Sequence, residues 1–348
     1  MRGAWLGLIA CAALAGCRTR LLDGGDGGST VMQAAALSAG VGHTCALLDG
    51  GAVACWGDNS LGQLGDGSKV FFRSAPGPVP SLSGVVELAA GDNYTCARRG
   101  DGSVICWGDR AATGAADAGP SPLPLRGPAV QLALSETQAC ARLADGTTNC
   151  SSDTRLALLA AGEHHFCGAF TDGHVRCWGP SACGETGAPP ATSDPTTIPG
   201  VIAPRALALG SEHSCALGAE VRCWGCNANG QLGDGSEKDS LTPVTVTGLA
   251  DVAAIAARWE RSCAIGTDGI VRCWGKLDPV DPSNDTQHPT PVLVPNLGPI
   301  TSLALGREHA CATTASGIVC WGHNDHGQLG DGTTTSREQP APVKFPAP

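Results

Sequence analysis

Cys55-Trp56-Gly57 recurs at Cys106, Cys177, Cys223, Cys273 and Cys320, and every copy follows another cysteine by eight to ten residues. The upstream partners are Cys45, Cys96, Cys167, Cys215, Cys263 and Cys311, and a seventh pair, Cys140 and Cys150, keeps the spacing but is followed by Ser151-Ser152. Between most pairs lies an Asp-Gly step, as at Asp49-Gly50, Asp101-Gly102 and Asp268-Gly269. Asp-Gly between short alternating strands signals a hairpin, because Gly accepts positive φ and Asp tolerates it. The midpoint of Cys45 and Cys55 falls in that turn, so the two cysteines face each other across the strands, within disulfide reach. The spacing therefore predicts one cross-strand disulfide per unit: Cys45–Cys55, Cys96–Cys106, Cys140–Cys150, Cys167–Cys177, Cys215–Cys223, Cys263–Cys273 and Cys311–Cys320. On the chain-entropy model each eleven-residue loop contributes roughly 2–3 kcal/mol.

The hairpin sits inside a longer repeat. A proline-valine step (Pro78-Val79, Pro291-Val292) precedes a short apolar strand such as Val85 to Ala90. Next comes Gly-x-x-His-Ser/Thr-Cys-Ala, as at Gly40 to Ala46 and Gly210 to Ala216, and then the hairpin. Three copies close with Gly-Gln-Leu-Gly-Asp-Gly, at Gly62 to Gly67, Gly230 to Gly235 and Gly327 to Gly332. Successive first cysteines lie 51, 44, 27, 48, 48 and 48 residues apart. Short strands at this period predict an all-β, seven-bladed β-propeller of about 45-residue repeats, with one truncated blade at the third position. The first unit lacks an opening proline-valine strand and the C-terminus carries a spare one, Pro342-Val343-Lys344-Phe345. The expectation is that this C-terminal strand completes the first blade and closes the ring.

Composition narrows the setting. The 348 residues carry a formal net charge of −10 and no run of Lys or Arg, which argues against a nucleic-acid partner, whose phosphates demand a basic face. Eighteen cysteines at regular spacing point to an oxidising compartment. Arg2 followed by apolar Ala4 to Ala13 reads as a secretory signal, too short to span a bilayer. It ends in Leu14-Ala15-Gly16-Cys17, which resembles the lipobox of bacterial lipoproteins, where the cysteine thiol carries a diacylglycerol. Residues 1–16 are thus assigned as signal peptide and 17–30 as a lipid anchor at Cys17 with a flexible Gly/Asp-rich tether. Residues 31–348 form the propeller. Arg18, in place of an aspartate, points to the outer membrane over the inner.

Setting aside Cys11, Cys17 and the hairpin cysteines leaves Cys183 and Cys226, both just after a Cys-Trp-Gly in consecutive units. An inter-blade disulfide Cys183–Cys226 is expected. The alternative is a zinc site built from Cys177, Cys183, Cys223 and Cys226.

These motifs resemble the regulator-of-chromosome-condensation family of seven-bladed propellers, whose pattern runs Gly-x-x-His-Ser/Thr, Asp-Gly, Trp-Gly-x-Asn, Gly-Gln-Leu-Gly. Trp56-Gly57-Asp58-Asn59 with Gly62-Gln63-Leu64-Gly65, and Trp321-Gly322-His323-Asn324 with Gly327-Gln328-Leu329-Gly330, carry the likeness. The resemblance covers residues 31 to 345, and the paired cysteines depart from cytosolic members in a way that suits an exported version. It implies protein binding, by analogy with secreted bacterial members that inhibit β-lactamases. The nucleotide exchange of the eukaryotic namesake needs a cytosolic GTPase that an exported chain would not meet.

No catalytic motif accompanies the repeat: there is no Gly-x-Ser-x-Gly, Walker loop, His-Glu-x-x-His or sialidase Asp-box. The repeated His43, His165, His213 and His309 fall in separate blades and are read as structural hydrogen-bonding groups. His323-Asn324-Asp325-His326 offers metal-ligand types on one loop, where polar loop residues are equally expected. We assign no catalytic, cofactor or metal residues. The expected role is a non-catalytic scaffold that binds a protein through irregular loops at Thr113 to Pro128, Pro180 to Pro199 and Lys276 to Pro289. A carbohydrate-binding or surface-structural module is the alternative, and of the tryptophans outside the repeat in the propeller only Trp259 could offer a sugar platform.

Overall fold

Each Cys-Trp-Gly hairpin forms the middle of an antiparallel sheet in a computed structural model that describes residues 34–68, 70–80, 82–114, 119–150, 156–187, 192–277 and 287–346. The assigned signal peptide, Cys17 and the tether lie outside the described residues. In unit 1, Ala34–Ala39, His43–Leu48, Val53–Asp58 and Phe72–Pro78 pair in chain order. The cysteines stand directly opposite, as at Cys45/Cys55, Cys215/Cys223 and Cys263/Cys273. Units 2, 4, 5, 6 and 7 repeat this four-stranded meander.

The third unit does not. Its strands Ala129–Leu134 and Ala139–Leu143 form a two-stranded sheet, extended only by a single bridge from Arg142 to Thr148. The propeller therefore has six four-stranded blades, not the seven expected, with a two-stranded sheet at the third position. The cause is chain length: residues 151–155 alone separate Cys150 from Leu156–Ala161, the inner strand of unit 4.

The expected closure by the C-terminal strand is also corrected. Arg337–Pro342 pairs with Gly317–Gly322 of its own unit, and Phe72–Pro78 already completes unit 1. Where it occurs, as at Pro78-Val79, Pro291-Val292 and Pro342-Val343, the proline-valine step lies at the end of an outer strand and not at the start of a unit, so unit 1 has its four strands without the C-terminal one. Phe345 instead packs edge-on against Trp56, at 6.5 Å between ring centroids, so the C-terminal segment reaches the first unit through side chains.

The core lies between neighbouring sheets. Trp56 packs with Ile318 and Leu329 of unit 7, Trp107 with Val53 and Leu64 of unit 1, and Trp274 with Leu217 and Leu232 of unit 5. Each buried indole thus removes a large apolar area from water at a junction. Inner strands line a central channel of about 260 Å³, floored by small residues such as Ala39, Ala90, Ala161 and Ala257.

Candidate functional site

Two sets of connections define the two faces of the disc. The Gly-x-x-His turns and the loops after Trp-Gly share one face, because Asp58 N donates to Gly42 O, Cys226 N to Glu212 O and Lys276 N to Glu260 O. The Asp-Gly turns lie on the other, bonded to the connections between units, as in Ala129 N to Gly102 O and Ile300 N to Gly269 O. All three irregular segments singled out from the sequence emerge on the first, loop-bearing face; residues 115–118, 188–191 and 278–286 within them lie outside the described residues.

This face stands on a relay that crosses four of the junctions. His309 Nε2 meets Thr44 Oγ1 at 2.8 Å, His165 Nε2 meets Ser214 Oγ at 2.7 Å, and His213 Nε2 meets Ser262 Oγ at 2.6 Å. Each hydroxyl in turn donates to a carbonyl, Gln328 O, Glu185 O or Gln231 O. A hydroxyl has one proton, so the imidazole must supply the other as an Nε2–H donor. The same carbonyls accept the indole N–H of Trp56, Trp224 and Trp274 at 2.8 to 2.9 Å. Between units 1 and 2, His43 reaches Thr95 and Trp107 reaches Gln63 O. Burial lowers His43, His165, His213 and His309 to about 3, with nearby Arg258 or other cationic groups adding to it at three of them. They are neutral frame components at physiological pH.

The geometry explains two of the glycines. The last Gly of Gly-Gln-Leu-Gly lies flat on the next unit's indole: a Cβ at Gly65, Gly233 or Gly330 would come within 2.7 Å of Trp107, Trp274 or Trp56. The Gly of Gly-x-x-His carries the imidazole, and a Cβ at Gly210 would sit 2.2 Å from His213 Cε1. Arg261 occupies the His position in unit 6 and donates to Gly306 O and His309 O, both at 2.9 Å. Tyr94 occupies it in unit 2 and donates to Ser135 O. Unit 4 also carries a cap that the sequence reading missed, Gly184-Glu185-Thr186-Gly187, whose Glu185 carbonyl does the work of the glutamine carbonyl elsewhere. Only the glycines and the spacing could have signalled it.

All sixteen cysteines from Cys45 to Cys320 are paired: seven within hairpins, and Cys183 with Cys226 between units 4 and 5 on the loop-bearing face. Six hairpin pairs have Cα separations of 4.0–4.1 Å. Cys140 and Cys150 stand 5.5 Å apart, because Cys150 lies outside any strand. With Cys177 and Cys223 held by their hairpin partners, the four-cysteine zinc set is not assembled. His323 and His326 do not converge on a metal site among the described residues; buried Asn324 between them organises the loop by accepting from Leu329 N and donating to Thr333 O and Thr335 O.

The mouth of the channel is acidic. Asp92, Glu136, Glu163, Glu212, Glu260 and Glu308 all sit in the turns that ring it. Arg258 of unit 6 reaches across to Asp92 of unit 2 at 2.7 Å and to Ala90 O, which bars the channel at this end. Trp259 is half-buried under the Arg307 guanidinium, 4.0 Å from the ring centroid, so its face is already occupied. Among the described residues the most exposed large apolar side chain is Phe71, at 76 %, and Leu61, Val70 and, at the start of the outer strand, Phe72 are exposed near it in sequence in unit 1. Among the described residues no helix is long and apolar enough to cross a membrane.

Comparison with known proteins agrees with this architecture. The family described as the RCC1-like domain matches residues 13–347. The ultraviolet-B receptor UVR8 of Arabidopsis thaliana is 26 % identical over 218 residues, which cover 59 % of this chain and 44 % of the receptor. The chain thus spans less than half the length of that relative. Among solved structures, yeast RCC1 (Prp20) in its complex with Kap60 superposes with a TM-score of 0.54 at 23 % identity, covering 88 % of this chain and 74 % of that one. The ectodomain of the Physcomitrella patens receptor kinase CR4 gives 0.56 at 21 % identity, covering 84 % and 74 %. At these identities the superpositions speak for the fold alone.

Proposed function

Because the chain belongs to the RCC1-like domain family, we propose that it is a non-catalytic binding scaffold, exported and tethered to the bacterial cell envelope through lipid on Cys17, which engages a protein partner with its loop-bearing face. The observation that carries this reading is the division of labour between the faces. One gathers the turns, the irregular loops, the acidic mouth and the exposed Phe71 and Phe72; the other carries short Asp-Gly turns. Eight disulfides fit an exported protein and hold the loops on a stiff frame. The repeated histidines are neutral and engaged in the frame, which leaves them unfit as general bases. Yeast RCC1, captured with Kap60, shows that a propeller of this fold can act by binding a protein. Trp259, covered by Arg307, gives little support to the sugar-platform alternative.

The test is an affinity capture from envelope extract with the oxidised protein. One protein should be retained near equal stoichiometry, lost with Phe71→Ser plus Phe72→Ser on the loop-bearing face and kept with Thr171→Arg on the other. Retained polysaccharide, or nothing, sinks the reading. The anchor is tested separately: Cys17→Ser should move the protein from the outer-membrane fraction to the soluble one while leaving it folded. Continued pelleting with membranes would refute the lipid attachment.

A further inference from the structure

At four junctions the Gly-x-x-Gly cap of one unit lies on the tryptophan of the next. Trp56, Trp107, Trp224 and Trp274 are all fully buried, each with its indole N–H on a cap carbonyl. Among the described residues, unit 3 has no third or fourth strand and no cap. Trp178 of unit 4 is accordingly 7 % exposed, and among the described residues no carbonyl accepts its N–H. In place of the cap is a cavity of about 310 Å³. Its floor is the stacked pair Phe166 and Trp178, with centroids 5.9 Å apart, and its walls include Thr137, Gln138, Glu163 and His164. The relay is absent here too: Gln138 replaces the histidine and Phe166 replaces the Ser or Thr.

From this vacancy we propose that the cavity between units 3 and 4 is a socket for a partner's turn: a short glycine-flanked segment that presents one apolar side chain to Trp178, offers a carbonyl to its indole N–H and carries a cationic residue for Glu136 and Glu163. The internal repeats supply the argument for the first two features. Leu64, Leu232 and Leu329, the apolar residues of the existing caps, are each fully buried, and the cap carbonyls already take an indole N–H. Charge supplies the third. Glu136 and Glu163 flank the opening, and His164 Nδ1 lies 3.2 Å from Glu136. Burial, then Asp92 and Glu136, push the Glu163 carboxyl above its usual range, a repulsion that a bound cation relieves. The proposal deepens the protein-binding reading and rests on it for the identity of the occupant as a protein segment.

The probe is a synthetic peptide with the sequence of residues 59–67, carrying Ser60→Lys and Asp66→Lys, titrated into the full mature protein with ¹⁵N-labelled tryptophan. The Trp178 indole resonance, assigned by its loss in Trp178→Phe, should shift saturably while those of Trp224 and Trp274 stay fixed. A peptide with Leu64→Glu should leave it unmoved, and Thr137→Trp, on an exposed turn at the rim, should block the shift. Glu136→Gln with Glu163→Gln should weaken binding about threefold, the scale of one exposed ion pair. No Trp178 shift, or a shift indifferent to Leu64→Glu or Thr137→Trp, overturns the socket. So does solvent protection of the Trp178 indole N–H as strong as that of Trp224 without peptide, which would mean the chain's own residues fill the site. In the affinity capture, a partner retained equally by Thr137→Trp leaves the scaffold reading intact and removes the socket. A peptide that binds while no partner is captured does the reverse.

Discussion

The junction between units 4 and 5 and the junction between units 3 and 4 are built from the same repeat, yet only the first is complete. At the first, His165, Ser214, the Glu185 carbonyl and Trp224 form one bonded chain, and Cys183–Cys226 stitches it across. At the second, Trp178 keeps the tryptophan position, but the histidine relay, the cap carbonyl and the disulfide have no counterpart among the described residues, and the side chain of Gln131 bridges the units. Its amide donates to Leu159 O and accepts from Leu159 N, which reproduces a pair of strand hydrogen bonds with one residue. The lesson is that a propeller junction needs apolar contact and satisfied backbone groups, whereas the histidine relay is an addition that fixes geometry at a cost in acid tolerance.

That cost gives the largest expected effect. A histidine held near 3 in the folded state but near 6.5 unfolded binds its proton only on unfolding. Its stabilisation is therefore complete above pH 6.5 and declines as pH falls below that, down to about 3. From pH 6.5 to 5 each of the four should lose about 2 kcal/mol. His213→Gln should reduce the steepness by about a quarter in chemical denaturation at stepped pH; an unchanged slope would show that the histidines are not its source.

Tryptophan truncation sharpens the contrast between the junctions. Trp274→Ala should cost about 3–5 kcal/mol through the cavity and the abandoned Gln231 carbonyl. Trp178→Ala, with a cavity already beside it, should cost less by at least about 1 kcal/mol. Equal losses would place the two sites in the same environment. Replacing Cys183 and Cys226 together by Ser should cost about 4 kcal/mol, against about 3 for the shorter hairpin loop of Cys45 and Cys55. The smallest effect belongs to Gln138→Ala: exposed and outside any relay, it should stay within about 0.5 kcal/mol.

Much of this was legible because the repeat puts the same residues at the same register again and again. Cysteines placed symmetrically about Asp-Gly reveal strands, turn and pairing at once. The phase of the repeat was not legible: an outer strand and the next unit's inner strand are consecutive in sequence, so the proline-valine step fits either. Structure alone resolved it, and with it the blade count and the absence of a closing strand. The cap at Gly184 to Gly187 was missed because its contribution is a backbone carbonyl, which leaves no mark on side-chain identity. Arg258 and Asp92, 166 residues apart, meet only because the ring brings units 6 and 2 to opposite sides of one channel.

The direction of the innermost strand of unit 1 settles how the disc can be presented. Ala34–Ala39 runs toward the Gly40-Val41-Gly42 turn, so it starts at the face of Asp-Gly turns and ends at the face of loops. Whatever precedes Ala34 joins the disc from its plain side. Were Cys17 to carry the proposed lipid, attachment would come from the plain side, and the patterned side would be the one left open to whatever arrives from the surroundings.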